Sequence, residues 1–239
     1  MKVHAYGITD VGRRRDNNQD QLLVDDQQDI YAIADGMGGH AAGEVASRIA
    51  IQALAESIND RPEGLTPEQI LVTSFNEGNR RICESVLARA EWRGMGTTIV
   101  AILRRNERAF IAHVGDSRCY LLRDNELSLL TEDHSWVGEQ VRLGLLTEDE
   151  AAHHPMRNIV TRAMGNRLEL EVDVSDHDIR EGDRFLLCSD GLNSMIEDTE
   201  IAELLRTHHN EPEAACRALV EAANRSGGDD NITVVVVAA

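Results

Sequence analysis

Three short runs rich in β-branched or aliphatic residues, Thr97–Leu103, Ala109–Val114 and Arg118–Leu122, follow one another with only a few polar residues between them. Those gaps are too short for a helical crossover, so the strands must turn back on each other, and this stretch cannot be a doubly wound parallel sheet. Further strand-like runs lie at Val3–Ile8, Gln21–Val24, Ile30–Ala34, Leu168–Val174, Arg184–Cys188 and Ile232–Val237, each bounded by Gly, Asp or Asn. The segment "LELEVDV" alternates strictly, as a strand with one solvated face does. Helical spacing predicts Glu44–Ile58 and Pro67–Ala90, the latter with Leu71, Phe75, Ile82 and Val86 near one face, and then Asp198–Arg206 and Glu211–Asn224. A helix pair follows the early strands and another precedes the last one. That order predicts an α+β chain with largely antiparallel sheets and helices outside. There is no internal repeat, and Arg61–Pro67 alone reads as a longer loop, so one domain is expected across 1–239.

Composition narrows the function. Of 239 residues, 24 are Lys or Arg and 42 are Asp or Glu, a net charge of −18. Such a surface repels nucleic acid and anionic membrane, so neither is expected as a partner. The longest apolar run, "VVVVAA", is far too short to span a bilayer, and "MKVHAYGITD" has no signal-peptide core. Cys83, Cys119, Cys188 and Cys216 form no CxxC pair, which suggests buried thiols in a reducing compartment. A soluble cytoplasmic protein is expected.

The acidic residues are not evenly spread. "ADGMGGH" places Asp35 at the end of "IYAIA"; "AHVGDSR" places Asp116 just after another run; "LLCSDGL" does the same for Asp190; "GGDDNITVVVV" puts Asp229 and Asp230 just before the last strand. Strand ends meet at the rim of a sheet, where bare carboxylates repel and raise one another's pKa. A hard divalent cation removes that penalty, and Mg²⁺ or Mn²⁺ takes oxygen ligands of this kind. Gly36 beside Asp35 leaves the backbone open to close approach. Zinc is disfavoured, because the histidines show no HxxxH or HExxH spacing and no Cys pair is present. The competing reading of any one Asp-Gly is a turn.

Seven segments in order, "DVGRRRDNNQD", "ADGMGGHAAGEVAS", "GMGTTIV", "AHVGDSRCY", "LTEDHSW", "LLCSDGL" and "GGDDNITVVVV", resemble the bacterial PPM (PP2C-type) protein serine/threonine phosphatases over essentially the whole chain. The resemblance implies an α-β-β-α sandwich: two antiparallel sheets flanked by helix pairs, with the active site at one end. It implies that Asp35 bridges two Mg²⁺ or Mn²⁺ ions, that the Gly36 carbonyl holds one, and that Asp190 and Asp230 complete the pair. Asp20 then holds metal-bound waters, Asp116 takes a third, weaker ion, and Asp229 is a neighbour rather than a ligand.

The implied reaction is hydrolysis of phosphoserine and phosphothreonine by a water or hydroxide bridging the two ions, with a guanidinium stabilising the transferring group. By resemblance that guanidinium is Arg15, while Arg13 and Arg14 read as a solvated turn. Some family members carry a histidine directly after the bridging Asp-Gly; here that position is Met37, and His40 is read as catalytic or, alternatively, as packing the glycine loop. His113 reads as a core histidine, His153 and His154 as loop, Thr97 and Thr98 as the start of a core strand, and Trp136 as a helix anchor. Residues 135–165 match the family's flap. The implied partners are phosphorylated proteins, opposing a serine/threonine kinase, with the chain a monomer. The alternatives are a small-molecule phosphatase or a weakly active regulatory binding module of the same fold.

Overall fold

The computed structural model describes residues 3–38, 42–60 and 64–239. His40 and the start of the expected 61–67 loop lie outside the described residues. The first strands are β1 (His4–Asp10), β2 (Asp20–Asp25) and β3 (Ile30–Met37), followed by the helices α1 (Ala42–Asn59) and α2 (Pro67–Ala88). Then come β4 (Gly96–Thr97), β5 (Ile99–Arg105), β6 (Arg108–Val114), β7 (Arg118–Arg123) and β8 (Glu126–Leu129). The chain continues through α3 (Trp136–Arg142), α4 (Glu148–Ala152), β9 (Asp173–Asp178), β10 (Arg184–Cys188), α5 (Asp190–Asn193), α6 (Asp198–Thr207), α7 (Pro212–Arg225) and β11 (Ile232–Ala238).

Local chemistry explains the corners. β7 and β8 are joined by Asp124 and Asn125, whose φ angles are 50° and 67°. A two-residue hairpin turn needs positive φ at both positions, and Asp and Asn tolerate it. α2 starts at a capping box: Thr66 accepts from the Gln69 N–H while the Gln69 side chain accepts from the Thr66 N–H, with Pro67 in the first turn.

The strands form two antiparallel sheets, one in the order β1-β11-β10-β7-β8 and one in the order β2-β3-β5-β6-β9, with β4 paired to β3. Three apolar layers hold them. Leu54, Leu71, Phe75 and Ile82 of α1 and α2 pack on Ile30, Ala32 and Ala34 of β3. Ile201, Leu205, Cys216 and Leu219 of α6 and α7 pack on Leu186, Val234 and Val236. Between the sheets lie Tyr31, Ile33, Val100, Ile102, Ile111, Leu187, Val235 and Val237. The expected four-layer α-β-β-α sandwich is therefore the observed one.

One strand is displaced from its expected place. The alternating Leu168–Val174 is mostly irregular, and the strand is Asp173–Asp178, "DVSDHD". It is the last strand of its sheet, pairing with β6. An edge strand is better served by charge than by apolar residues, since charge discourages pairing with another chain. Trp136 does begin a helix, and His154 is more than loop: its ring stacks on Trp136 at 4.9 Å.

Candidate active site

Successive side chains of a strand face opposite sides, so each strand's inter-sheet face can be followed in steps of two. At one end of the sandwich every step leaves the apolar layer. Beyond Val24 and Leu22 comes Asp20; beyond Tyr31 and Ile33 comes Asp35; beyond Ile102 and Val100 comes Thr98; beyond Val237 and Val235 comes Thr233. The register confirms one face: Asp20 stands opposite Asp35 on the antiparallel pair β2–β3. The remaining acids enter from the adjoining loops. Asp116 lies in the turn between β6 and β7, Asp190 opens α5 directly after β10, and Asp230 precedes β11.

These carboxylates meet. Burial, followed by the charges of Asp20, Asp190, Asp116 and Asp230, raises the Asp35 carboxyl well above the usual range. Burial and Asp230 push Asp190 up to about 6, with Asp35 pulling it partly back through a hydrogen bond. Burial and Asp190 push Asp116 up to about 8. Burial raises Asp20 to about 7 against the pull of hydrogen bonds from Thr233 and Ser189. Two of these carboxylate oxygens, Asp20 Oδ1 and Asp190 Oδ1, are buried without a hydrogen-bond partner among the described residues. A buried oxygen anion without a donor is costly unless a cation serves it. The set thus fits a hard divalent cation, which favours oxygen donors and carboxylates above all. Among the described residues one guanidinium hydrogen-bonds to the group: Arg15 Nη2 donates to Asp230 Oδ2 at 2.6 Å, and that bond raises the Arg15 pKa. Among the described residues Arg14 pairs only with Asp229, at 3.7 Å on an exposed rim.

The glycines beside the acids also serve a packing purpose that the sequence does not signal. A Cβ on Gly36 would stand 2.1 Å from the Gly43 carbonyl oxygen and 2.6 Å from that of Gln19. A Cβ on Gly191 would stand 2.0 Å from the Asn231 carbonyl oxygen. Each glycine lets two backbone segments touch next to an acid: β3 against the first turn of α1, and α5 against the loop carrying Asp230. Gly36 N–H also donates to Gln19 O at 3.2 Å, tying β3 to the segment before Asp20.

Asn231, which sequence reasoning passed over, and Thr98, read there only as the start of a core strand, hold the group together. Asn231 is fully used: Oδ1 accepts from Gln19 N at 2.8 Å, and Nδ2 donates to the carbonyls of Val11 and Asn17 at 3.0 Å each. Thr98 Oγ1 accepts from Asp35 N at 3.2 Å and contacts Ser117 Oγ at 2.7 Å, so the strand of Asp35 is pinned to the turn of Asp116. Their signal was position: each is a small polar residue next to one of the acids or on the same strand face.

A second cluster, His113, His134 and Asp173, brings its ligand atoms within 4.8 Å of one another. Three of its four ring nitrogens are already engaged. Gly115 N donates to His134 Nδ1 at 3.0 Å, which leaves Nε2 to donate to Asp173 Oδ2 at 3.2 Å. His113 Nε2 donates to the Glu132 carbonyl at 2.8 Å, and Arg162 donates to Asp173 Oδ1 at 2.6 Å. Burial lowers the pKa of both rings. The cluster is a polar brace from β6 to β9, and His113 is the satisfied core histidine expected of it.

The chain belongs to the protein phosphatase 2C family, whose profile matches residues 12–225. The serine/threonine phosphatase stp of Listeria welshimeri is 41% identical over 241 residues, covering 98% of this chain and 95% of that protein. The crystal structure of the Mycobacterium tuberculosis serine/threonine phosphatase PstP/Ppp superposes with a TM-score of 0.91 at 41% identity, over 99% of this chain and 98% of that one. The catalytic domain of the phosphatase PstP in complex with two manganese ions superposes with a TM-score of 0.89 at 40% identity, over 99% and 97%. Among the described residues no helix is long and apolar enough to cross a membrane.

Proposed function

We propose that this chain is a metal-dependent protein serine/threonine phosphatase acting on phosphorylated proteins. The observation that carries the reading is the convergence of Asp20, Asp35, Asp116, Asp190 and Asp230 at one end of the sandwich, with buried, unpartnered oxygens on Asp20 and Asp190. In this reading Asp35, Gly36, Asp190 and Asp230 would hold two Mg²⁺ or Mn²⁺ ions, Asp20 would stand beside them as a hydrogen-bond acceptor, and Asp116 would serve a third, weaker ion. When bound, such ions supply Lewis-acid stabilisation of phosphoryl oxygens and a water acidified toward neutral pH.

The chain's own residues set up the rest. Arg15 is half exposed, and its hydrogen bond to Asp230, the one it makes among the described residues, leaves further N–H donors for the phosphoryl oxygens on which charge develops. Asp35 and Asp190, packed between sheet and loop, fix their carboxylates without long flexible stems. Cysteine nucleophiles are disfavoured: burial pushes the Cys188 and Cys216 thiols up to about 12, and a protonated thiol does not attack. We further read the chain as one phosphatase domain, with 135–165 as a flap at the cleft, His40 as a candidate proton donor, and the protein as a cytoplasmic monomer opposing a serine/threonine kinase.

The test is hydrolysis of phosphoserine, phosphothreonine and phosphotyrosine peptides with Mn²⁺ and after chelation. Turnover of the first two that needs Mn²⁺ or Mg²⁺ is expected. Undiminished turnover after exhaustive EDTA treatment overturns the reading.

A further inference from the structure

Asp20 belongs to one sheet, but what holds its carboxylate belongs to the other. Thr9 of β1 stands opposite Thr233 of β11, and Ser189, just after β10, donates its N–H to the Thr233 carbonyl at 3.0 Å. The three form a row of hydroxyls across three neighbouring strands, where the apolar inter-sheet layer ends. Ser189 and Thr233 are fully buried.

The hydrogens in this row have forced directions. Thr233 Oγ1 donates to Asp20 Oδ2 at 2.7 Å, and Ser189 Oγ donates to the same oxygen at 2.8 Å. A hydroxyl has one proton, so Thr9 is the donor in its 2.7 Å contact with Thr233. Asn18 Nδ2 donates to Thr9 Oγ1 at 2.7 Å, and Asn18 Oδ1 accepts the N–H of Asp20 itself at 3.0 Å. Ser189 Oγ in turn accepts the Thr233 N–H at 3.0 Å, and its other possible acceptor, the Asn231 carbonyl, is farther, at 3.5 Å. Both donors therefore end on Oδ2. Oδ1 of the same carboxylate is buried and has no donor among the described residues.

We propose that Ser189 and Thr233, backed by Thr9 and Asn18, are positioning residues for the metal centre. By occupying Asp20 Oδ2 with two hydroxyl donors, they fix the rotation of the carboxyl group and reserve Oδ1 for a hydrated divalent cation held among Asp35, Asp190 and Asp230. The inference rests on the metal-dependent reading above and extends it to residues that touch neither ion nor substrate. The rival is that the row merely joins the two sheets.

The experiment is calorimetric Mn²⁺ titration of the whole protein, with melting temperatures measured in EDTA. Thr233→Val keeps the side chain's shape and removes the donor; Thr233→Ser keeps the donor; Ser189→Ala removes the second one. Thr233→Val and Ser189→Ala should each weaken Mn²⁺ binding by about tenfold or more, the loss usual for outer-shell partners of a metal site. Thr233→Ser should bind as the wild type does. In an Asp20→Asn background, Thr233→Val should cost no further affinity, because the carboxylate it positions is gone. Should Thr233→Val not fold, Ser189→Ala carries the same comparison. Unchanged Mn²⁺ affinity with a lower melting temperature in EDTA overturns the proposal in favour of a sheet-joining role. An equal loss of affinity with and without Asp20 overturns it too. A wild type that binds no Mn²⁺ removes the metal-dependent reading itself; normal wild-type binding with normal variants removes only this inference.

Discussion

Arg15 donates through Nη2 to Asp230 Oδ2 at 2.6 Å across 215 positions of sequence. The side chains are 51% and 35% exposed, so this is an ion pair at the mouth of the site rather than in its floor. Pairs so placed contribute at most about 1 kcal/mol to stability. Arg15→Ala should therefore melt close to the wild type and keep its Mn²⁺ affinity. Its kcat/KM on a phosphopeptide should fall by about a hundredfold, the loss typical of removing one donor to a developing oxyanion. Thermal melts, Mn²⁺ titration and steady-state kinetics on the same preparation check this. A variant that loses Mn²⁺ affinity but turns over normally at saturating Mn²⁺ would show that Arg15 serves Asp230 and not the substrate.

Asp190 repels its neighbours as long as no cation sits among them. Asp190→Asn removes one charge at nearly constant shape. In EDTA the variant should melt higher than the wild type, while the rise in melting temperature on adding Mg²⁺ or Mn²⁺ should largely disappear and turnover drop to background. Differential scanning fluorimetry with and without the ion decides it. A wild-type response to the ion would remove Asp190 from the ligand set.

The same acids make cation binding pH-dependent. Their ordinary value is 3.8, and the fold raises Asp190 to about 6, Asp20 to about 7 and Asp116 to about 8. An acid with a raised folded pKa holds more protons folded than unfolded, so its contribution to stability falls as pH rises from its unfolded value through its folded one. A cation must displace those protons, and its affinity climbs over the same window. The buried rings of His113 and His134, lowered by burial, act with the opposite sign, because acid must charge them. Comparing Mg²⁺-loaded with EDTA-treated protein at each pH cancels them. The gap in melting temperature should widen from about pH 5.5 to about pH 8. A gap that does not change with pH contradicts the raised acids.

Gly36→Ala tests the contact beside Asp35. The added methyl would lie 2.1 Å from the Gly43 carbonyl oxygen and 2.6 Å from that of Gln19, both backbone atoms that cannot swing away. The expected cost is about 3 kcal/mol or more, the upper end of overpacking penalties, read by urea denaturation. A loss below the error of that measurement would mean that α1 and β3 can part freely.

Much of this was legible in the sequence because the carriers are local. Asp35 after "IYAIA" and Asp190 after "FLLC" announce themselves by following apolar runs, and the short strand-to-strand gaps fix the antiparallel order. What escaped reading lies across the chain. Thr9, Ser189 and Thr233 each look like an ordinary strand residue; only the pairing of β1 and β10 on either side of β11 lines them up. Gly36 needs Gly43, and Gly191 needs Asn231, contacts that no spacing rule signals. The strand at Asp173–Asp178 was hidden because an edge strand carries charge in place of the apolar alternation that "LELEVDV" displays.

β11 lies between β1 and β10, yet it is synthesised after both. Until β11 is made, β1 has no partner in its sheet and β10 is paired on one side only, with β7. Asp230, Asn231 and Thr233 come with that strand, so a nascent chain that has not reached it lacks three residues that build the centre. The same order makes the segment separable. A chain ended at Gly227 and mixed with a peptide of residues 228–239 should regain Mn²⁺-dependent turnover, with the peptide entering the sheet as its missing strand. Silence of the mixture at saturating peptide would mean that the slot closes when β11 is not there to fill it.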